Sequence, residues 1–435
     1  MRRLRVLVTD PRSPLAERLA TSERVDVVVS PPRLGDVVGN VRRCDPDVVV
    51  LDAAQVGLRR LLRAWGRPVA VADPGGPDPA GPDPAGPDPA GWLAEVAHRP
   101  GAGLGGGPPV TVVVTVLNEI ATVDDLARTV IAQLQPDDEL VIADGGSADG
   151  TAARIEGWAR RDGRVRMVSA PGTNISGGRN AAITTARNRV IVCTDAGCRP
   201  VDGWLDALRM PFAEESAPDL VTGVPRVVAE TPFQWAQALA CYPNPDEARR
   251  PSWLVRTYGR YLGQVMRADL PFARSLAFTV DAWKDVGGFP EDLGWVEDGA
   301  FGRAVARAHR CVIASDAEVG WVQRQSVSST YRMYFRYGIG HAASGDVMLQ
   351  CRDLARVAAY GFGLGAVVSR DRRWLGATIA GSALYFSLPL ARVVRYRQGW
   401  VVGALVPPAM ALKDIAQAHG SVATHLRHSR RGGVG

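Results

Sequence analysis

Paired cysteines and lysine are what this 435-residue sequence lacks. Its six cysteines, at 44, 193, 198, 241, 311 and 351, form no CxxC pair. That excludes a disulfide framework and a structural zinc site, and it points to a reducing compartment. Only Lys284 and Lys413 among the 51 basic residues are lysine, so the formal charge of +6 is nearly all guanidinium. Such a balance suits phosphate-bearing ligands or an anionic membrane surface. Nothing in it calls for a nucleic acid partner. The opening MRRLRVLVTD has an apolar run only a strand long, too short for the h-region of a secretory signal. No GxGxxG follows that strand, so a dinucleotide site has no support. What is present, 46% apolar and 22% charged residues, is ordinary globular composition and excludes a disordered or fibrous chain. The length supplies two or three domains.

The plainest boundary is Pro74 to Gly91, where GPDPA recurs three times in tandem. Proline at alternate positions removes amide donors, and no apolar side chain is there to pack, so an extended spacer is expected. A glycine-rich piece, Gly101 to Pro109, follows a short helix expected at Trp92–Ala97. Before the spacer, the apolar runs Arg5–Val8, Val25–Val29, Val48–Leu51 and Val69–Ala72 alternate with helical stretches such as Pro14–Thr21 and Val56–Ala64. Valine-rich strands apolar on both faces predict a small parallel α/β layer, an accessory domain without chemistry of its own. After the spacer, strands at Val110–Val116, Leu140–Ala143, Val165–Val168 and Val190–Thr194 alternate with helices. One helix carries Leu126, Val130 and Leu134 on one face, with Thr122 and Asp125 read as its capping box. The others are expected at Thr151–Arg160 and Gly178–Ala186. This is the order of an open parallel sheet, where ligands gather beyond the carboxyl ends of the strands.

Three of those ends carry polar residues: Leu117-Asn118-Glu119, then Asp144-Gly145-Gly146-Ser147-Ala148-Asp149-Gly150-Thr151, then Asp195-Ala196-Gly197. A carboxylate beside glycines can meet a ligand, because glycine lets other groups approach the backbone. One such motif could equally be a turn with a helix cap. Three at one edge of one sheet favour a site.

The runs TVLNE, ADGGSADGT, NISGGRNAAI and IVCTDAGC together resemble the nucleotide-binding half of a family 2 glycosyltransferase of the GT-A fold, an inverting, membrane-associated member of actinobacterial type. Gly287-Gly288-Phe289-Pro290-Glu291, followed by Trp295-Val296-Glu297-Asp298, resembles the acceptor half. The likeness covers about Pro109 to Gly340. It implies that Glu119 and Asp144 hold the ribose and base of a nucleotide-diphosphate sugar, which suits carboxylates as acceptors of hydroxyl and ring N–H hydrogen bonds. Thr115, Asn118 and Gly145 are implied beside them, and Arg179 near the base and phosphates. Asp195 takes the place of the first carboxylate of the DxD motif, which binds Mg²⁺ or Mn²⁺ on the diphosphate. The sequence departs from the motif at Gly197, where a second Asp often stands. One carboxylate plus phosphate oxygens and water can still satisfy such an ion.

The resemblance gives Asp298, with Glu297 beside it, the role of base toward the acceptor hydroxyl, at the start of a helix whose N-terminus favours negative charge. A single base opposite the leaving group implies inversion. Tyr331, Arg332, Tyr334, Phe335 and Arg336 fall at helical spacing, more in keeping with packing and a solvated edge than with a ligand site. The QxxRW of processive synthases is missing after Asp298, which favours single addition. A nucleotidyltransferase would want an early glycine- and arginine-rich signature that is not there. A degenerate nucleotide-sugar-binding protein at the membrane has Gly197 as its best argument.

Leu375–Ala391 is 17 residues without a charge, with arginines at both ends, and Trp400–Leu412 is a second uncharged stretch. A spanning helix needs about 20 apolar residues, and the flanking arginines are symmetric. Interfacial attachment is expected, helped by Arg427, Arg430 and Arg431. The expected organisation is an accessory α/β domain over 1–73, a linker over 74–108, a GT-A domain over 109–345 and apolar C-terminal helices over 346–435. The acceptor is expected to be a glycan or lipid-linked molecule, met at the cytoplasmic face of the membrane.

Overall fold

The computed structural model describes residues 107–432 apart from 215, 245–246, 249–252 and 263–264, and, earlier in the chain, Leu19 and four strands. Those strands are β1 (Leu4–Val8), β2 (Val25–Val29), β3 (Val48–Asp52) and β4 (Val69–Ala72). They form a sheet of order β2-β1-β3-β4, parallel throughout. Val6, Leu7 and Val8 are fully buried, as strands apolar on both faces require. The expected helices at Val56–Ala64 and Trp92–Ala97, most of Pro14–Thr21, and the proline-rich spacer lie outside the described residues. The chain divides into two compact units, Met1–Pro108 with Asp202–Ala217, and Pro109–Val201 with Pro218–Gly435.

The second unit begins with β5 (Val110–Val116), α1 (Val123–Ile131), β6 (Glu139–Asp144), α2 (Thr151–Arg161), β7 (Val165–Ser169), α3 (Ile175–Thr184), β8 (Val190–Asp195) and β9 (Cys198–Pro200). It continues through β10 (Leu220–Val228), α4 (Pro232–Cys241), α5 (Trp253–Leu262), β11 (Leu276–Thr279), α6 (Val280–Asp285), α7 (Glu297–Val305) and β12 (Cys311–Val322). Four long or medium helices close it: α8 (Val327–Ala343), α9 (Val347–Ser369), α10 (Arg372–Arg395) and α11 (Trp400–Gly432). The eight strands order as β7-β6-β5-β8-β11-β10-β12-β9. The β7-β6-β5-β8 half is parallel, and β11 is inserted antiparallel between β8 and β10. The two halves meet over a core in which Phe278, Phe289 and Phe301 pack ring on ring, with centroids 4.3 to 5.8 Å apart.

Two local expectations need correction. Thr122 makes no capping box: its hydroxyl donates to Glu119 Oε2 at 2.6 Å, and no side chain caps α1. The nearer carboxylate wins the hydroxyl. The helix expected from Gly178 starts at Ile175, because Asn174 caps it by accepting from the Gly177 amide at 2.9 Å. Helix α9, 23 residues long, falls inside the 346–435 stretch expected to be helical, where the sequence alone set it no bounds of its own.

The C-terminal helices pack on the rest of the second unit. Ala236, Leu239 and Ala240 of α4 meet Val393 of α10 and Val406 and Met410 of α11. Arg392 of α10 is buried and forks onto Glu247 at 3.0 and 2.7 Å. In α8, Gly338 lies so near α11 that a Cβ there would fall 1.9 Å from the Gln417 carbonyl oxygen. Among the described residues α10 is the one helix long and apolar enough to cross a membrane, and most of its apolar window is exposed.

Candidate active site

The parallel register brings the predicted strand-end residues to one edge. Val116 pairs with Asp144, and Thr115 with Asp195, so β6, β5 and β8 end side by side. Beyond them the two loops lock together. The Asn118 amide donates to Ser147 Oγ at 2.9 Å, and Asn118 Oδ1 accepts from the Ala148 amide at 2.9 Å. Asn118 adopts φ 58°, a left-handed backbone that asparagine tolerates better than most residues. The Glu119 amide donates to Thr151 Oγ1, whose hydroxyl in turn donates to Asp149. Those hydrogen bonds, the Thr151 hydroxyl first, hold the Asp149 carboxyl below its ordinary range. Asp144 is buried, and its two oxygens accept from the Gly146 and Ser147 amides and the Ser147 hydroxyl. Gly145 donates its amide to the Val116 carbonyl. Asp144 thus shapes its own loop, and the Glu119 carboxylate stands half-buried above it, held by Thr122.

Arg179, Asp195, Glu297 and Asp298 form a second group, on the wall of a cavity of about 1140 Å³. Arg179 is 2% exposed and donates to Asp195 at 2.9 Å and to Glu297 at 2.6 Å. Its guanidinium also lies 5.4 Å over the Phe289 ring. Burial works against the charge of Arg179, but Asp195 and Glu297 outweigh it and its pKa is raised. Burial first, then the neighbouring Asp298 charge, lifts the Glu297 carboxyl above its ordinary range against the pull of Arg179. Asn180 makes the other tie between the halves. Its side chain donates to the Phe289 carbonyl at 2.8 Å and accepts from the Phe289 amide at 3.0 Å. The GGRN run therefore fastens the nucleotide half to the GGFPE loop by both of its polar residues.

Asp298 is the second residue of α7 rather than its cap. The cap position is Val296, with φ 59°, a strained conformation for a β-branched residue. Room for it comes from Gly340 of α8, whose absent Cβ would lie 2.6 Å from both Val296 Cγ2 and the Trp295 carbonyl oxygen. Asp298 Oδ2 accepts from the Ala273 amide at 3.1 Å and Oδ1 from its neighbour Gly299 at 2.7 Å. Two backbone donors thus aim the carboxylate at the cavity.

Thr115, Asn118, Glu119, Asp144 and Gly145 lie outside the lining of that cavity, at the adjoining strand ends. The sequence reading missed Arg274, which stacks 4.2 Å over Trp321 and comes within 3.8 Å of Asp195 Oδ2. Burial opposes its charge, but Tyr337 and Asp195 raise its pKa. The surrounding PFARS carries no signal of this. No group of three metal-ligating side chains exists among the described residues. Asp195 Oδ2 nonetheless accepts no hydrogen bond from the described residues, and its side chain is 29% exposed. That fits an ion held by one carboxylate and completed by substrate phosphates and water.

Residues 111–268 match the model of the family described as Glycosyl transferase family 2. No curated protein sequence matches the chain. Similar solved structures include a mannosyltransferase, PcManGT from Pyrobaculum calidifontis, in complex with GDP-Man and Mn²⁺. It shares 16% identity over 73% of this chain and 87% of its own, with a TM-score of 0.43. GalNAc-T7 with UDP, GalNAc and Mn²⁺ is 15% identical over 54% of this chain and 48% of its own, TM-score 0.39. S. aureus TarS 1–349 is 16% identical over 73% and 91%, TM-score 0.38. By that match and the motifs it carries, residues 111–268 are a family 2 glycosyltransferase segment.

Proposed function

We propose that the protein transfers one sugar from a nucleotide-diphosphate donor to a hydroxyl of a glycan or lipid-linked acceptor, with inversion. The observation that carries this reading is the single cavity on which Asp195 and Asp298 both stand, joined through Arg179 and Glu297. The nucleotide lies over the interlocked loops after β5 and β6, with Glu119 and Asp144 toward its ribose and base. The diphosphate points toward Asp195. Attack by the acceptor oxygen on the anomeric carbon breaks the bond to the diphosphate, which leaves as nucleoside diphosphate. The acceptor proton passes to Asp298, already aimed by the Ala273 and Gly299 amides. Glu297 stays on Arg179 and keeps the first turn of α7 in place.

Asp195 would hold Mg²⁺ or Mn²⁺, and when bound the ion neutralises charge on the diphosphate. The exposed apolar residues Phe362, Leu364, Val367 and Val368 of α9 and Trp374 and Ile379 of α10, with Arg372 and Arg373 between them, support attachment to an anionic membrane surface at the cytoplasmic face. Co-flotation with anionic but not neutral vesicles checks this, and no flotation with either would remove it.

The function is tested by a panel of nucleotide sugars screened by thermal shift with and without Mn²⁺, followed by product analysis with the stabilising donor. Asp195→Ala should abolish the Mn²⁺-dependent part of donor binding. Unchanged Mn²⁺ stimulation in that variant removes Asp195 as the ligand. Donor binding without any transfer or hydrolysis would instead make the chain a nucleotide-sugar-binding protein.

A further inference from the structure

The cavity wall carries seven arginines against three carboxylates. Four of the seven have acidic partners: Arg179 with Asp195 and Glu297, Arg274 with Asp195, Arg303 with Asp346 and Arg352 with Asp353. The other three, Arg324, Arg332 and Arg336, have no carboxylate within 4.0 Å among the described residues, and all three are exposed.

They are not scattered. Arg324 precedes α8, and Ser329, Arg332 and Arg336 recur along it at the three- and four-residue spacing of one helix face. That face is the cavity wall. Arg332 and Arg336 are one turn apart, an arrangement of like charges that weakens a helix unless an anion joins them. Arg336 is further fixed by stacking 4.8 Å over Trp295, which leaves its N–H edge free. Guanidinium groups held this way match the oxygens of a phosphate, to which they donate in pairs.

Their place in the fold says which phosphate. One turn beyond Arg336, Gly340 packs against Trp295 and Val296, the two residues before Glu297-Asp298. The arginine row therefore runs up to the base, on the wall built from residues beyond Gly294, whereas the nucleotide loops end β5 and β6. We propose that Arg324, Arg332 and Arg336 bind a phosphate carried by the acceptor, so that the acceptor is a phosphorylated molecule. The assignment of an acceptor rests on the transferase reading above. Lipid phosphates and soluble phosphates share this chemistry.

The test uses the full chain, calorimetry, and three probes: inorganic pyrophosphate, citronellyl phosphate and citronellol. Wild type should bind both phosphates and not the alcohol. The double variant R332Q/R336Q should bind them at least about tenfold more weakly with an unchanged melting temperature, since charge-assisted bonds are lost. R307Q, an exposed arginine elsewhere on the unit, should bind as wild type. Phosphate binding should persist when a nucleoside diphosphate saturates the donor site. Preference for citronellyl phosphate assigns a lipid source, equal affinity a soluble one. Binding unaffected by R332Q/R336Q, or phosphate displaced by the nucleoside diphosphate, overturns the proposal. Failure of the transferase reading looks different: no nucleotide sugar binds to any form of the protein, while the arginine-dependent phosphate binding remains.

Discussion

The strand-end loops and the cavity both gather carboxylates, but they satisfy them in opposite ways. Asp144 and Asp149 are surrounded by amides and hydroxyls of their own and the adjoining loop, several weak donors to each. Asp195 and Glu297 share one guanidinium, which arrives from 16 and 118 residues away. The loops are redundant, so losing one donor leaves a shape. The cavity pair is held mainly by one side chain, so losing it strips Glu297 of its guanidinium and leaves Asp195 only the more distant Arg274, at 3.8 Å. Breaking a buried ion pair costs more than the pair is worth against apolar packing.

Three changes probe that contrast, from the largest expected effect to the smallest. Asp298→Asn asks whether the cavity carboxylates do chemistry at all. Turnover in a single-turnover assay should fall ~10²–10⁴-fold, roughly 3–5 kcal/mol of barrier. Donor affinity should stay near wild type. An asparagine can accept from only one of Ala273 and Gly299 through its oxygen, so stability should drop by about 1 kcal/mol. Wild-type turnover would falsify the base assignment. R179M should lower unfolding free energy in urea by about 3 kcal/mol, at the low end for a broken buried pair because Asp195 remains partly solvated. A loss under about 1 kcal/mol would mean that the cavity is as redundant as the loops. Asp144→Asn, the counterpart in the loops, removes one acceptor among several and should cost ~1 kcal/mol by the same measurement, with donor affinity reduced in parallel. A cost equal to that of R179M would erase the distinction.

The same contrast decides how much could be read beforehand. Strands β5 to β8 were legible because each is a short apolar run, and the ends of β5, β6 and β8 because each carries an acid within a few residues. The family resemblance rests on those runs. Arg179 was recognised as a site residue but not as the link between Asp195 and Glu297, because no local pattern records a partner 118 residues away. Arg392 onto Glu247, 145 residues apart, is the same case. Helices were expected over 346–435, but the bounds of α9 were not legible because Arg352, Asp353 and Arg356 interrupt its apolar run, although Asp353 is fully buried against His341 at 2.6 Å. For β12 the obstacle was Glu318, which reads as solvent-facing until Arg226 is seen beside it at 2.8 Å. In each instance burial of a charge was decided by a distant partner, and periodicity cannot report that.

Gly340 makes the arginine-bearing helix and the turn before the base one mechanical piece. Val296 is kept at a backbone angle strained for a β-branched residue, and opposite it stands a residue with no side chain. A single methyl group at 340 would act as a wedge. In G340A the turn should spring toward a relaxed angle, and the amides of 296–300 should exchange hydrogen faster, while protection in β5, β6 and β8 stays as it was. Equal protection in both proteins would mean that the turn holds its shape unaided. If the wedge works, strain that favours ~1–2 kcal/mol of release is stored two residues from the reacting proton. The proposed base would then be aimed partly by leaning on α8, so a loosely held α8 would also mean a poorly aimed carboxylate.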